Sequence, residues 1–249
     1  MKPLILVTND DGIYSEGIAT LFEAMNSIGE AYMVAPDRER SAVSHALTMH
    51  RPIKVERLKE RIYSVNGTPT DCVALAIKKL LPKTPDLVAS GINKGANLGD
   101  DVTYSGTVSA AIEGTILNVP SFAISLVGNN PFLFETASYY AIKTAKYVID
   151  NSLPYDTLLN VNVPNIPRDQ IKGMRLTRLG KRIYENSIQE VTSPWGDIHY
   201  WIGGGQPYHE HGDDMDFQTI KESYVSITPV HLDLTNYEAL KFLKEKWKL

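Results

Sequence analysis

Asn9-Asp10-Asp11-Gly12 closes the short aliphatic run 4–8 and sets two carboxylates side by side. Adjacent like charges repel unless a cation or a proton sits between them. A hard divalent cation is the simplest occupant, because Mg²⁺ and its relatives take carboxylate oxygens. Helix capping explains one aspartate there, since Asp is favoured at an N-cap and in a first turn. It explains the pair less well. Three further stretches carry matching chemistry. Pro36-Asp37-Arg38-Glu39-Arg40-Ser41 follows a second apolar run, and the Ser41 hydroxyl can complete an oxygen shell around Mg²⁺ or Mn²⁺. By itself this stretch reads as a turn with a helix cap and solvated arginines. Ser90-Gly91-Ile92-Asn93-Lys94-Gly95-Ala96-Asn97-Leu98-Gly99 follows a third run. Its glycines let backbone amides turn toward a ligand, and Asn93 offers a neutral oxygen. Tyr104-Ser105-Gly106-Thr107-Val108 opens a helix of small residues, and helix N-termini bind phosphate readily. Metal ligands beside a phosphate cradle point to phosphoryl chemistry, most simply hydrolysis of a phosphomonoester.

These residues need a frame that brings strand ends together. Apolar runs at 4–8, 31–35, 87–90, 121–126 and 158–163 read as strands. Helical spacing marks 17–28, 70–81, 109–117 and 134–149. The alternation predicts an α/β fold, a mostly parallel sheet with helices on both faces. In such sheets ligands bind outside the carboxyl ends of the strands, where all four stretches fall. Segments 53–56 and 61–65 read as an inserted hairpin. Beyond Asn165 the pattern changes to extended segments at 174–178, 182–190 and 198–202, with a turn at 193–197. A polar, Gly-rich loop at 203–216, a strand at 224–228 and an amphipathic helix at 237–247 follow. The expectation is one domain over 1–249, with a core of about 1–178 and an extended hairpin and oligomerisation arm of about 179–249.

Composition narrows the function further. A net charge of −4 over 249 residues lacks the basic excess of a protein that grips nucleic acid through phosphates. No window approaches the ~20 apolar residues of a membrane span, and no signal peptide is visible. Cys72 is the single cysteine, which excludes an internal disulfide and fits a reducing cytoplasm. His209-Glu210-His211 lacks a third spaced ligand for zinc and reads as a solvated loop. His45 lies nearer the acidic pair in sequence and is a candidate contact to substrate or leaving group. Trp195, Tyr200 and Trp201 read as hairpin packing. Neither a Walker loop nor a Gly-x-Gly-x-x-Gly strand exit occurs.

The ordered motifs resemble the stationary-phase survival protein SurE family. They are Asn9-Asp10-Asp11-Gly12, Ala35-Pro36-Asp37-Arg38 with Ser41, Gly67-Thr68-Pro69-Thr70-Asp71-Cys72-Val73, Ser90-Gly91-Ile92-Asn93 through Asn97-Leu98-Gly99, and Tyr104-Ser105-Gly106-Thr107-Val108. Ser226-Ile227-Thr228-Pro229 with Asp233-Leu234-Thr235 completes the series. The resemblance implies a Rossmann-like core and a metal-dependent 5′-nucleotidase acting on nucleoside monophosphates. In some members it extends to 3′-nucleotides and short polyphosphate. It implies one divalent ion, Mg²⁺ or Mn²⁺, per subunit, on Asp10, Asp11, Ser41 and Asn93. Asp10 and Asp11 would also be the catalytic pair, with Asn9, Asn97, Ser105, Gly106 and Thr107 around the phosphate. A homodimer or homotetramer with exchanged C-terminal arms is implied as well. Two rivals share parts of the pattern. A haloacid-dehalogenase-type phosphatase wants Asp-x-Asp rather than an adjacent pair. A signalling receiver wants about half this length and a phosphoacceptor Asp at a third strand exit.

Overall fold

The computed structural model describes residues 2–184, 188–202, 207–209, 212 and 214–247. β1 (Leu4–Thr8) is buried at every position. Ile5 and Val7 face one apolar cluster while Leu6 faces another, as the two-residue period of a strand requires. A strand covered on both faces has no polar side, which is why it reads as an unbroken apolar run. Burial also dominates β2 (Glu30–Pro36), β5 (Leu87–Lys94), β6 (Ser121–Val127) and β7 (Thr157–Pro164), although the last is interrupted by the buried Asn160 and Asn162. They form the centre of a nine-stranded sheet of order β3-β4-β2-β1-β5-β6-β7-β13-β8. β2 and β5 both pair with β1 in parallel, on opposite sides of it. The winding reverses at β1, so the carboxyl ends of β1 and β5 flank a crevice.

Helices α1 (Glu16–Asn26) and α4 (Phe134–Asn151) pack together on one face, and α2 (Pro69–Leu75) and α3 (Gly106–Ile116) on the other. Local chemistry sets their starts. Ser15 caps α1. Thr68 and Asp71 form a reciprocal capping box on α2, with Pro69 in its first turn. Ser105 caps α3 by accepting from the Val108 N–H at 3.1 Å. Helix α3 therefore begins three residues before the expected 109. Helix α2 ends early, and residues 76–80 continue as a π-turn.

Other segments depart from expectation in instructive ways. The hairpin β3 (Val55–Lys59) and β4 (Ile62–Val65) is not an insertion but the sheet's edge, with β4 parallel to β2. The chain returns to the sheet late. β13 (Val225–His231) lies between β7, to which it runs antiparallel, and β8 (Met174–Leu176), to which it runs parallel. The stretch 182–190 divides into β9 (Arg182–Tyr184) and β10 (Ile188–Thr192). β10 pairs with β11 (Ile198–Ile202) across the expected turn, and β9 pairs with β12 (Pro207–His209) inside the stretch expected as a loop. That loop also ends in a helix, α5 (Asp216–Lys221), too short to show a period. Trp195, Tyr200 and Trp201 are exposed, because a two-stranded ribbon offers no second layer to pack on. A final amphipathic helix, α6 (Tyr237–Lys246), buries none of its residues. Among the described residues, no helix is long and apolar enough to cross a membrane.

Candidate active site

A cleft of about 790 Å³ opens at the carboxyl ends of β1 and β5. Asp10, Asp11, Ser41, Asn93, Asn97 and Ser105 all line it, together with Glu39, Lys94, Asp101 and Tyr104. Three strand exits, those of β1, β2 and β5, and the start of α3 that follows β5 thus deliver their polar residues to one place. Asn9, Gly106 and Thr107 are not among the lining residues.

Asp10 is the most constrained member. It is 5 % exposed. The Thr107 hydroxyl donates to its Oδ1, and the Thr107 amide also bonds the carboxylate. A carboxylate at the N-terminus of α3 meets unsatisfied amides and the positive end of the helix dipole. Gly106 permits this closeness. A Cβ there would stand 2.7 Å from Asp10 Cβ and 2.9 Å from its Oδ2. Despite these donors, burial pushes the Asp10 carboxyl up to about 6, and the neighbouring Asp11 charge adds to the rise. The first turn of α3 therefore cradles Asp10, a role that helix-capping rules alone do not reveal.

Asp11 is raised too, chiefly by burial, with the Lys94 charge and amide opposing. Its Oδ2 is buried and has no hydrogen-bond partner. Such an orphaned oxygen is costly unless a cation or donor meets it. Ser41 donates to Glu39 Oε1 at 2.7 Å, which leaves the hydroxyl lone pairs as acceptors. Asn93 donates from Nδ2 to the Gly95 carbonyl at 3.1 Å, so its Oδ1 is the end without that bond. Two carboxylates, a hydroxyl and an amide make an all-oxygen donor set, which suits Mg²⁺ or Mn²⁺ rather than zinc. Among the described residues no group of three His, Cys, Asp or Glu is placed to hold a metal ion, so a site here rests on two carboxylates with neutral oxygens.

Asn93 reaches the cleft because β5 runs past Ser90, where a loop is expected, and slips register against β6 between Ser90 and Asn93. The slip centres on Gly91, at φ +138°, where a Cβ would lie 2.3 Å from the Ile124 carbonyl. Asn97 is held more firmly. Its N–H donates to Asn162 Oδ1 at 3.0 Å, and its carbonyl accepts from Asn160 and Asn162 at 2.8 and 2.9 Å. Its own Nδ2 donates to Ser125 at 2.7 Å. Asp216, fully buried at the start of α5, accepts from the amides of Gly99 and Gly180. Sequence reading misses Asp216, because a lone Asp in a polar stretch looks solvated.

Two expected contacts are placed elsewhere. Asn9 donates to the Gly12 carbonyl at 3.0 Å and to Ser15 at 2.9 Å, so it ties the turn that presents the acidic pair to the cap of α1. His45 bonds the buried Glu113 of α3 at 2.9 Å and does not line the cleft. The backbones of Glu210 and His211 lie outside the described residues, as does the side chain of His209.

The family described as Survival protein SurE matches residues 5–186 of the chain. The chain belongs to the SurE family. A protein of Geobacter sulfurreducens named 5′-nucleotidase SurE is 49 % identical over 246 residues, covering 98 % of this chain and 94 % of that protein. One of Aeromonas hydrophila with the same name is 51 % identical over 242 residues, covering 95 % of each. The crystal structure of the SurE protein from Aquifex aeolicus superposes with a TM-score of 0.88 at 43 % identity, covering 98 % of this chain and 99 % of that one. The SurE fold, a mostly parallel sheet wrapped by helices, is thus shared over nearly the whole chain.

Proposed function

We propose that this SurE-family chain is a cytoplasmic 5′-nucleotidase that hydrolyses nucleoside 5′-monophosphates to nucleoside and phosphate, using one Mg²⁺ or Mn²⁺ per subunit. The relatives' names support the substrate class. The observation that carries the reading is the single cleft in which Asp10, Asp11, Ser41 and Asn93 meet beside the start of α3. Asp10, Asp11, Ser41 and Asn93 would hold the ion. When bound, it supplies positive charge to the phosphoryl oxygens and makes a nucleophilic water available near neutral pH.

The chain's own groups do the positioning. Thr107 fixes Asp10 in one orientation, while Asp11 keeps an oxygen without a protein partner. Ser105 lines the cleft at the cap of α3 and would meet the phosphoryl oxygens there, with the unsatisfied amides of the first turn behind it. Lys94 lines the cleft near Asp11 and adds a cation for the doubly charged ester. Asn97, pinned by Asn160 and Asn162, presents its side chain without needing to reorganise.

The assay is release of phosphate from AMP, with 3′-nucleotides and short polyphosphate in the same panel. EDTA treatment should abolish release, and Mg²⁺ or Mn²⁺ should restore it. Full activity after chelation would sink the metal role. Trapping a phosphoenzyme would instead support the haloacid-dehalogenase rival.

A second copy of this chain is the proposed partner. Ile188, Trp195, Tyr200 and Trp201 of the β10–β11 hairpin are exposed, and so are Leu240 and Leu243 of α6 and Trp247 at its C-cap. These exposed apolar side chains support an interface, and an arm with no layer to cover it is suited to exchange between subunits. Light scattering should return the mass of a dimer or tetramer, and Leu240→Glu with Leu243→Glu should shift it downward. A monomeric wild-type protein at micromolar concentration would overturn this assembly.

A further inference from the structure

We propose that Tyr104 is the platform on which the nucleobase of the substrate stacks, an inference that rests on the phosphomonoester reading of the cleft. Tyr104 lines the cleft yet is 64 % exposed. Its backbone is fixed. Its N–H donates to the Asp101 carbonyl at 3.0 Å, and its carbonyl accepts from the Ser44 N–H at 3.2 Å. The Ser44 hydroxyl also donates to the Thr103 carbonyl at 2.7 Å, so the loop that carries Ser41 is fastened to this same turn.

Several rings elsewhere are engaged, and among the described residues the exposed aromatics that are not, such as Tyr14, Tyr155 and Trp195, do not line the cleft. Tyr139 stacks edge-on with Tyr140 and lies under Lys143 and Arg168, Tyr224 lies under Arg175, and Phe132 meets Phe134. Among the described residues, Tyr104 makes no comparable ring or cation contact. A large aromatic held on rigid backbone with its faces open is costly to expose and well suited to receive another π-system.

Position and size support the assignment. Tyr104 directly precedes Ser105, the cap of the helix whose first turn meets the phosphate end of the cleft. The volume of about 790 Å³ falls in the range that holds drug-sized organic ligands, well beyond a phosphate alone. Ala42, Ala96 and Ile202 give the same cleft an apolar component. Stacking tolerates every base, because each has a π-face, so base preference should be broad.

The test compares AMP with ribose 5-phosphate, which differ by the base. Equilibrium binding to EDTA-treated protein gives one ratio, and kcat/KM with Mn²⁺ gives a second. Wild type should favour AMP by about tenfold or more, in line with the effect of removing one base-stacking aromatic. Tyr104→Ala should bring the binding ratio to within about twofold, and Tyr104→Phe and Tyr104→Trp should keep it. Persistence of the ratio in Tyr104→Ala, or no AMP preference in wild type, would overturn the proposal. Absence of phosphate release from either compound would instead refute the hydrolase reading, and the binding ratio would still decide the role of Tyr104.

Discussion

Asp10→Asn should abolish phosphate release and at the same time make the metal-free protein more stable at neutral pH. The two effects share one cause. Asp10 is buried beside another carboxylate, and its carboxyl stands at about 6 instead of 3.8. An unfolded chain gives up that proton near 3.8, whereas the folded chain keeps it until about 6. Between those values the folded state binds more protons, so stability falls as the pH rises through that window. Above it the ionised carboxylate costs about 3 kcal/mol at ~1.4 kcal/mol per pH unit. Asn keeps the shape and can still accept from Thr107, so it removes the charge without opening a cavity. Urea unfolding in EDTA should show Asp10→Asn stabilised at pH 7.5, with the gain vanishing toward pH 4. The activity loss should reach about a thousandfold, the equivalent of several kcal/mol of charge stabilisation. Wild-type affinity for Mn²⁺ should fall as the pH drops below 6, because a proton must leave as the ion binds. A variant less stable than wild type at pH 7.5, or one that still turns over AMP, contradicts the assignment of Asp10.

What the sequence displayed of this design depends on the range of the forces involved. Central strands were legible because burial on both faces leaves an apolar signature within five to eight residues. Asp10, Asp11, Ser41, Asn93, Asn97 and Ser105 were legible as a set because strand exits of a parallel sheet converge, and all six line one cleft. Partners far apart in the chain left no local trace. Thr107 grips Asp10 from 97 positions away, and Asp216 fastens Gly99 from 117 positions away. Nor does periodicity foresee that β13 inserts between β7 and β8, since its edge or central place is set by pairing. Asn160 and Asn162 look like breaks in an apolar strand. Their meaning appears only when both amides are seen bonding the Asn97 carbonyl.

Gly106→Ala should cost about a hundredfold in kcat while leaving the fold intact, the reverse of what helix propensity predicts. Alanine in place of glycine ordinarily favours a helix by about 1 kcal/mol. Here the new Cβ would lie 2.7 Å from Asp10 Cβ and 2.9 Å from Oδ2, closer than such atoms approach. Something must move, and the choices are few. The α3 backbone is tied at Ser105 and packed against α2 and β6, while the Asp10 side chain hangs from a single strand end. The carboxylate is therefore the part that yields, and it loses its alignment with Thr107. Misplacement of a reacting constellation by about 1 Å is worth about a hundredfold in rate. Raising the substrate concentration should not recover this loss if, as proposed, Asp10 acts on transition-state charge rather than on nucleoside binding. Thr107→Val should resemble Gly106→Ala, since it leaves the same carboxylate without its hydroxyl partner. Thr107→Ser, which keeps the hydroxyl, should stay within about tenfold of wild type, the small end of the range for groups that support a metal ligand. Full activity in Gly106→Ala would show that the closeness of α3 to Asp10 serves packing alone.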